Sequence, residues 1–475
     1  MDGFTLTTHR VMNRRGVLWL GQTCNLRCYF CYFLDRIETK AHAEHPFMTI
    51  EKAKTICRTL VDYYGNNSID IQGGEPTIWG DIHDLVSYCA GIGLKPTLIS
   101  NGIVLSKNGA CQRLKDAGVY DILLSVQGLG SVYDEIVGLP GGSARQMTAL
   151  ENLRAARVPF RFNTVLSKPV LPQLEAVTRL GIESGSRVMN FIAFNPFIDQ
   201  TCGRRSAKNV ARYGEIMPHL TPVLDTLDAA GVEVNVRYLP FCVFEARHRK
   251  FCQNFQQIVY DLHEWDAASE GWTSLPGLRQ AALPLQPPIS LQETVWRRRL
   301  LLLDSRLRAS HGRFGQRAAK LSSSMRGAAR ELLRHIHQPP SSSDTGPWGP
   351  AERPHRLDLI GLSAGLERGW QAARENLMGY APLPRIEALH RESRMLMPKV
   401  VHPYTKPAEC AACTLSPICD GFHKDYVEMF GADECRRVEG TGKVTDPKWF
   451  ISSQRKVVEE QEYDWALPAE QRPSR

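Results

Sequence analysis

Three thiols stand close together early in this chain. The segment Gly21-Gln-Thr-Cys24-Asn-Leu-Arg-Cys28-Tyr-Phe-Cys31-Tyr places Cys24, Cys28 and Cys31 at CxxxCxxC spacing, directly after a strand-like run. Thiolates are the ligands that iron–sulfur clusters and soft metals select. Three of them can hold three irons of a cubane and leave the fourth iron without a protein ligand. An open metal position is where an exogenous molecule binds, in contrast to the closed shell of a structural site. A zinc knuckle completed by a distant fourth ligand would use the same residues. Zinc sites usually open with a cysteine pair, however, and this triplet departs from that pattern.

A second chemical element, Ile71-Gln-Gly73-Gly74-Glu75-Pro76-Thr77, closes the next strand-like run. Paired glycines let a backbone approach a ligand closely, and a glutamate can pair with an ammonium group. Later runs end on small polar residues: Ser100-Asn101-Gly102, Ser125 with Gln127-Gly128, Asn163, and Asn190 with Asn195. Such groups can hydrogen-bond a ribose or a carboxylate without adding charge. Each taken singly also serves as a turn or cap residue.

Near the C-terminus stands Cys410-Ala-Ala-Cys413-Thr-Leu-Ser-Pro-Ile-Cys419-Asp-Gly421. A closed metal site wants a fourth ligand here, and Cys242, Cys252 and Cys435 are the candidates. A structural zinc site pinning this segment to the rest of the chain is the alternative. Cys57, Cys89, Cys111 and Cys202 are isolated and read as ordinary buried thiols.

The elements that must position these groups follow from hydrophobic pattern. Strand-like runs at Val17–Leu20, Ile69–Gln72, Pro96–Ser100, Ile122–Val126, Arg161–Val165 and Val188–Phe194 alternate with helical stretches. That alternation predicts a parallel βα-repeat fold, an open sheet or partial barrel, with chemistry at the strands' C-terminal ends. A helical stretch, Asn209–Ala230, leads to Val232–Leu239, which reads as a strand of a different unit. The expected organisation is a barrel over 1–231, the start of a second metal unit over 232–274, an insertion over 275–397, the rest of the metal unit over 398–453, and a polar tail over 454–475. The insertion holds an Arg-rich helical part and the Pro/Ser/Gly-rich run Gln338–Pro354, which reads as a flexible loop.

Composition sets outer bounds. With 475 residues, 43% hydrophobic and 23% charged, the chain reads as globular and large enough for more than one unit. No run approaches the roughly 18 apolar residues that span a bilayer, and no export signal precedes the first cysteines, so a cytoplasmic location is expected. Thirteen cysteines in such a chain point to metal rather than disulfides. The net charge of +8 owes much to the stretch Trp296–Arg334, so nucleic-acid binding is not expected.

The CxxxCxxC segment and the Gly-Gly-Glu-Pro element together resemble the radical S-adenosylmethionine (radical SAM) superfamily. The resemblance implies an α/β fold, a TIM-like partial (β/α)6 barrel. It also implies a [4Fe–4S] cluster on Cys24, Cys28 and Cys31 whose open iron chelates the amino and carboxylate groups of SAM. By the same resemblance Phe30 lies near the adenine, and Gly73, Gly74 and Glu75 contact the SAM amino group. Ser100, Asn101, Ser125 and Asn163 become candidate SAM contacts. The C-terminal cysteines resemble the auxiliary-cluster region of the SPASM and twitch subfamilies, which favours Cys242 with Cys410, Cys413 and Cys419 as ligands. The usual cysteine three residues beyond Cys419 is missing, which implies one auxiliary [4Fe–4S] cluster instead of two.

The stretches Asp134-Glu-Ile-Val-Gly138, Asn190-Phe-Ile-Ala-Phe-Asn-Pro196, Arg237-Tyr-Leu-Pro-Phe-Cys242 and Tyr260-Asp-Leu-His-Glu-Trp265 look like a subgroup that modifies sugars and aminocyclitols, including the diol dehydratases of aminoglycoside biosynthesis. This implies a small polar substrate and a one-electron donor such as flavodoxin or ferredoxin. Tyr213, Asp134 and Glu135 are then candidate acid–base groups, and Glu264 and Asp266 candidate partners for substrate amines. A dehydrogenase whose auxiliary cluster accepts the electron, a peptide-modifying enzyme and a non-enzymatic metal module are the rivals. The cysteine motif begins so early that neither a cobalamin domain nor a peptide-recognition domain is expected before it.

Overall fold

A computed structural model of the chain describes residues 4–5, 15–31, 33–40, 44–64, 66–195, 205–258, 261, 263–274 and 404–456. The chain divides into two compact units, residues 1–274 with 397–475, and residues 275–396. The second unit lies outside the described residues, and with it the Arg-rich stretch and the Pro/Ser/Gly-rich run. Among the described residues no helix is long and apolar enough to cross a membrane.

After a two-residue strand β1 (Phe4–Thr5), the aliphatic runs form one eight-stranded parallel sheet in chain order. It comprises β2 (Arg15–Trp19), β3 (Ser68–Gln72), β4 (Lys95–Ser100), β5 (Asp121–Ser125), β6 (Phe160–Leu166), β7 (Val188–Ala193), β8 (Glu233–Arg237) and β9 (Cys252–Gln253). Helices between the strands cover its outer face. The helix Ile50–Asp62 is typical: Thr49 caps it by accepting from the Lys52 N–H, and Ala53, Ile56, Cys57 and Leu60 fall on one buried stripe at helical spacing. Leu18, Ile71, Leu98, Leu124, Phe162 and Phe191 fill the layer beneath these helices. Each such side chain contributes about 1.5–3 kcal/mol when fully buried.

The run expected to open a different unit instead supplies β8, parallel to β7 with Asn190 opposite Asn235. Its alternation of Glu233, Asn235 and Arg237 with Val234 and Val236 reads as a strand half turned to water. The polar side faces the inner surface of the sheet instead, among groups that pair with it. Two strands beyond the expected six therefore belong to the barrel sheet.

The sheet curls. Asp261 and Glu264 bind Arg237 of β8, while Trp265 bridges to Arg15 of β2 and donates to Asp70 of β3. β8 and β3 would lie about 24 Å apart in a flat sheet, yet neighbouring residues touch both. Residues 261 and 263–265 thus form a crossbar over the N-terminal mouth of a partial barrel. The inner surface there is built from buried ion pairs: Arg15–Asp70 at 2.7 Å, Arg161–Asp121 at 2.6 Å and Lys456–Glu233 at 2.9 Å. Lys456 belongs to β12 (Arg455–Lys456), which pairs antiparallel with β1. A further antiparallel pair joins β10 (Tyr404–Thr405) to β11 (Phe422–His423).

Burial alone would raise the Asp121 carboxyl. Arg161, Arg15 and a hydrogen bond from Thr97 outweigh it and bring the pKa down to about 2 from 3.8. A carboxylate depressed on folding stabilises the native state above its unfolded pKa, and that contribution is lost as pH falls from about 4 through about 2. Asp121→Asn, which also leaves Arg161 without its partner, is expected to cost about 3 kcal/mol at pH 7. Urea unfolding should show this loss, with a flatter pH dependence below pH 4 than in the parent chain.

Candidate metal centre

The loop carrying Cys24, Cys28 and Cys31 leaves β2 and is fixed from three sides. Gly74 N–H donates to the Gly21 carbonyl and Glu75 N–H to the Thr23 carbonyl, both at 2.9 Å. On the other flank, Arg27 and Tyr29 N–H groups donate to Val137 and Ile136, the last turn of the helix Gly130–Val137. The loop therefore satisfies carbonyls that a helix end leaves open. From within, the Arg27 guanidinium donates to the Cys24 and Leu26 carbonyls at 2.8 Å.

The glycines are required by this docking. A Cβ on Gly73 would lie 2.1 Å from the Gly21 carbonyl oxygen, and one on Gly74 would lie 2.0 Å from that of Thr23. Glu75 is 1% exposed, and its carboxylate accepts from Thr77 N–H at 3.1 Å, Thr77 hydroxyl at 2.5 Å, Ser100 hydroxyl at 2.8 Å and Asn101 N–H at 2.7 Å. Asn101 in turn donates to the Asn25 side chain at 2.9 Å. The structure thus gathers five residues expected to contact SAM, namely Gly73, Gly74, Glu75, Ser100 and Asn101, and joins them to each other and to the cysteine loop. Ser125 and Asn163 sit opposite each other on β5 and β6, partly exposed. Phe30 is partly buried, with its ring 5.9 Å from Tyr29 and 6.4 Å from Phe194.

Burial raises all three thiol pKa values, Cys24 to about 12 with help from the Glu75 carboxylate. Cys28 is pushed further by Cys31 and Cys24. A site that crowds prospective anions in this way suits a cationic iron core, which binds thiolates and displaces their protons. Two residues that the sequence reading missed complete the setting. The Arg205 guanidinium lies 4.5 Å from the Phe194 ring, donates to the Phe30 carbonyl at 3.1 Å and draws the Cys31 pKa downward. Gln146, fully buried, donates to the Asn101 and Ser125 carbonyls at 3.1 and 2.7 Å and to the Tyr133 hydroxyl at 3.1 Å. Its signal was a polar residue at a core position of an otherwise apolar helical stripe.

A second group of thiols lies beyond β8. Cys242, Cys410, Cys413 and Cys419 line one small cavity with Phe241 and Phe422. Cys435 joins them, its sulfur 3.7 Å from that of Cys410. The expected four ligands are brought together, and one of the two other candidates comes with them. Cys252 points away, donating to the Leu239 carbonyl at 3.3 Å. Among the described residues no three His, Cys, Asp or Glu side chains gather as a single metal ion requires. One zinc draws its four sulfurs to about 3.8 Å of each other, whereas a cubane spreads thiolates over its corner irons. The 3.7 Å between the Cys410 and Cys435 sulfurs matches the zinc spacing, and all-thiol donor sets serve either a cubane or a zinc.

The candidate acid–base groups have other partners. Asp134 accepts from Gly141 and Ser143 N–H at 2.6 and 2.7 Å, capping the helix Gly142–Ala156. Glu135 is exposed. Tyr213 is 1% exposed, stacked on Tyr426 at 3.8 Å, with its hydroxyl donated to Asn195 at 2.8 Å. Asp266 caps the helix Ala267–Ser274 by accepting from Ser269 N–H. None of these side chains converges on the cysteine loop as a free acid or base would.

Residues 20–173 match the family model of the radical SAM superfamily. The chain is 29% identical over 38% of its length to an AdoMet-dependent heme synthase of Oleidesulfovibrio alaskensis, covering 46% of that protein. It is 35% identical to a GTP 3',8-cyclase of Peptoclostridium acidaminophilum over 30% of this chain and 43% of that one. The chain spans about half the length of the first of these relatives. Among solved structures, Streptococcus suis SuiB bound to S-adenosylmethionine aligns over 51% of this chain and 58% of its own, with 19% identity and a TM-score of 0.41.

Proposed function

From a radical SAM domain over residues 20–173, whose cofactors are a [4Fe–4S] cluster and SAM, we propose that the chain abstracts hydrogen from a polar sugar or aminocyclitol. The outcome is diol dehydration or deoxygenation of the kind used in aminoglycoside-type biosynthesis. Held by Cys24, Cys28 and Cys31, the cluster would deliver the electron that cleaves SAM to the 5′-deoxyadenosyl radical. The chain's own residues position the partners and exclude water. Gly73, Gly74 and the Glu75 cluster hold the cysteine loop against the ends of β3 and β4, and Ser125 and Asn163 offer neutral polar groups beside it.

The observation that carries the substrate class is the inner surface of the barrel. Asn163, Asn190 and Asn235 stand at one level of β6, β7 and β8, and Asn235 donates to Asn190 at 3.1 Å. Each amide supplies both donor and acceptor, the pairing that hydroxyl groups require. Asn235 is already paired with Asn190, Glu233, Gln253 and Lys456, so the partly exposed Asn163 is the amide that a polar substrate would reach. The test is an anaerobic assay of the reconstituted chain with SAM and dithionite against aminocyclitols, monosaccharides and peptides. Deoxyadenosine with a product lighter by one water is expected from a cyclitol or sugar. Product formed only from peptides would overturn the substrate class.

Dehydrogenation is the second reading, favoured by the closeness of the auxiliary thiols to the barrel. Cys242 follows Arg237 of β8 within one short turn, so an electron left on substrate has an acceptor nearby. We read Cys242, Cys410, Cys413 and Cys419 as ligands of one auxiliary [4Fe–4S] cluster, with a flavodoxin or ferredoxin supplying electrons in the cytoplasm. Cys410→Ala is expected to lower the iron content by about four atoms per chain while SAM cleavage persists, read by iron assay and deoxyadenosine yield.

A further inference from the structure

A run of basic residues beside the auxiliary thiols is answered by carboxylates at every position but one. Arg247, His248, Arg249 and Lys250 follow one another in the short helix Ala246–Phe251. Arg247 reaches Asp225 and Glu245, His248 reaches Asp225, and Lys250 reaches Asp228, so three of the four side chains lean on the helix Tyr213–Ala229. Arg249 has neither an ion pair nor a hydrogen bond among the described residues, and its Nε is buried.

Its guanidinium turns toward the thiols instead. It lies 5.9 Å from the Phe450 ring, that ring packs 5.5 Å from Phe241, and Phe241 lines the cavity that holds Cys242, Cys410, Cys413 and Cys419. Burial lowers the Arg249 pKa, and the groups that oppose this are thiols, Cys413 first and then Cys242 and Cys252. An arginine stays charged in a protein, so the fold keeps a half-buried cation beside a pocket of thiols and gives it no counter-ion. A desolvated charge without a partner is costly, and its place here calls for an anion. A [4Fe–4S] core on four thiolates supplies one, a net dianion when oxidised and a trianion after one electron is taken up. A cation at its edge stabilises the reduced form more than the oxidised form and so raises the reduction potential.

We propose that Arg249 is the counter-charge of the auxiliary cluster and raises its reduction potential. The assignment rests on the reading of Cys242, Cys410, Cys413 and Cys419 as ligands of that cluster, and it deepens the dehydrogenation reading. There the substrate loses one hydrogen atom to the deoxyadenosyl radical, then a proton to solvent and one electron to the cluster, which Arg249 makes easier to reduce. Arg249 is a positioning residue, and no bond is made or broken at it.

The test is a potentiometric titration of the reconstituted full chain with dithionite, followed by low-temperature electron paramagnetic resonance with and without SAM. SAM changes the signal of the cluster whose iron it chelates, so the signal it leaves unchanged reports the auxiliary cluster. Arg249→Gln should lower the auxiliary midpoint potential by about 59 mV, a tenfold change in equilibrium constant for one electron. Arg249→Lys should keep most of the parental value. Arg247→Gln, which removes a charge that Asp225 and Glu245 already answer, should leave it unchanged. The SAM-sensitive signal should titrate alike in all four proteins. A parental or higher potential in Arg249→Gln, or an equal fall in Arg247→Gln, overturns the proposal. If Arg249→Gln loses the auxiliary iron, Arg249→Lys decides: iron retained there shows that the charge holds the cluster, and iron lost in both shows a packing role and overturns the proposal. A parent chain with about four irons and no SAM-insensitive signal removes the auxiliary-cluster reading itself, whereas about eight irons with an unshifted potential removes the role of Arg249 alone.

Discussion

Cys28→Ala is expected to release no detectable 5′-deoxyadenosine from SAM under dithionite, with an iron content lower by about four atoms per chain. The loop's backbone is held by groups other than this thiol: Arg27 and Tyr29 N–H on the helix end, Gly74 and Glu75 N–H on the Gly21 and Thr23 carbonyls. Removing the sulfur therefore leaves the loop in place and withdraws one of three ligands. Two thiolates cannot secure three corner irons, so the loss is expected to be complete instead of graded. Cys24→Ala and Cys31→Ala should behave alike. Anaerobic reconstitution, iron assay, the low-temperature electron paramagnetic resonance signal of the reduced cluster and mass spectrometry of the nucleoside give the readout. Deoxyadenosine at parental yield in any of the three would remove the cluster from this loop.

Gly74→Ala, which adds one methyl and removes no ligand, should approach the same result. Its Cβ would meet the Thr23 carbonyl oxygen at 2.0 Å and the Cys24 nitrogen at 2.9 Å. Both are backbone atoms, so no flexible side chain can yield, and the loop must retreat by about an ångström to restore van der Waals distance. The hydrogen bonds from Gly74 to Gly21 and from Glu75 to Thr23 then stretch together. A 10–100-fold loss is typical when the support behind a metal ligand is removed, and about that loss in deoxyadenosine yield per chain is expected. Gly91→Ala is the control, since nothing lies within 4 Å of a Cβ at Gly91, the last residue of the helix Ile82–Gly91. Similar yields from the two variants would refute the steric argument.

Groups whose chemistry depends on type and short spacing were legible in the sequence. The Gly-Gly-Glu-Pro element lies against the cysteine loop, and separately Cys242 lines one cavity with Cys410, Cys413 and Cys419, the groupings that the family resemblance implied. Strands β2 to β7 fall where aliphatic runs between turn residues placed them, because one side of each is sealed by helices. Partners far apart in the chain were not legible. Glu75 was expected to contact the SAM amino group, and nothing in the sequence showed that Ser100 and Asn101 reach its carboxylate from 25 and 26 residues away. Asp134 had the type of an acid–base residue and is instead a helix cap. β8 was misplaced because alternation reports only that two faces differ, and a polar barrel interior inverts the usual rule that the polar face meets water. Arg205 stands in a stretch of sequence with no periodic signal, and only its place beside Phe194 marks it.

The pairing of β1 with β12 bears on the order in which the molecule is made. Phe4 lies opposite Lys456, and the Lys456 ammonium reaches Glu233 inside the barrel. The cysteine loop leaves the ribosome some 425 residues before Lys456, counted from Cys31 (456 − 31), so that ion pair forms only after the intervening chain has been synthesised, at about 5–20 residues per second. For tens of seconds the nascent chain displays three thiols on a sheet whose floor is still open. Delivery of iron and sulfide is thereby a competition with oxidation during translation, and the rate of elongation through the intervening segments becomes a determinant of how much holoenzyme a cell obtains.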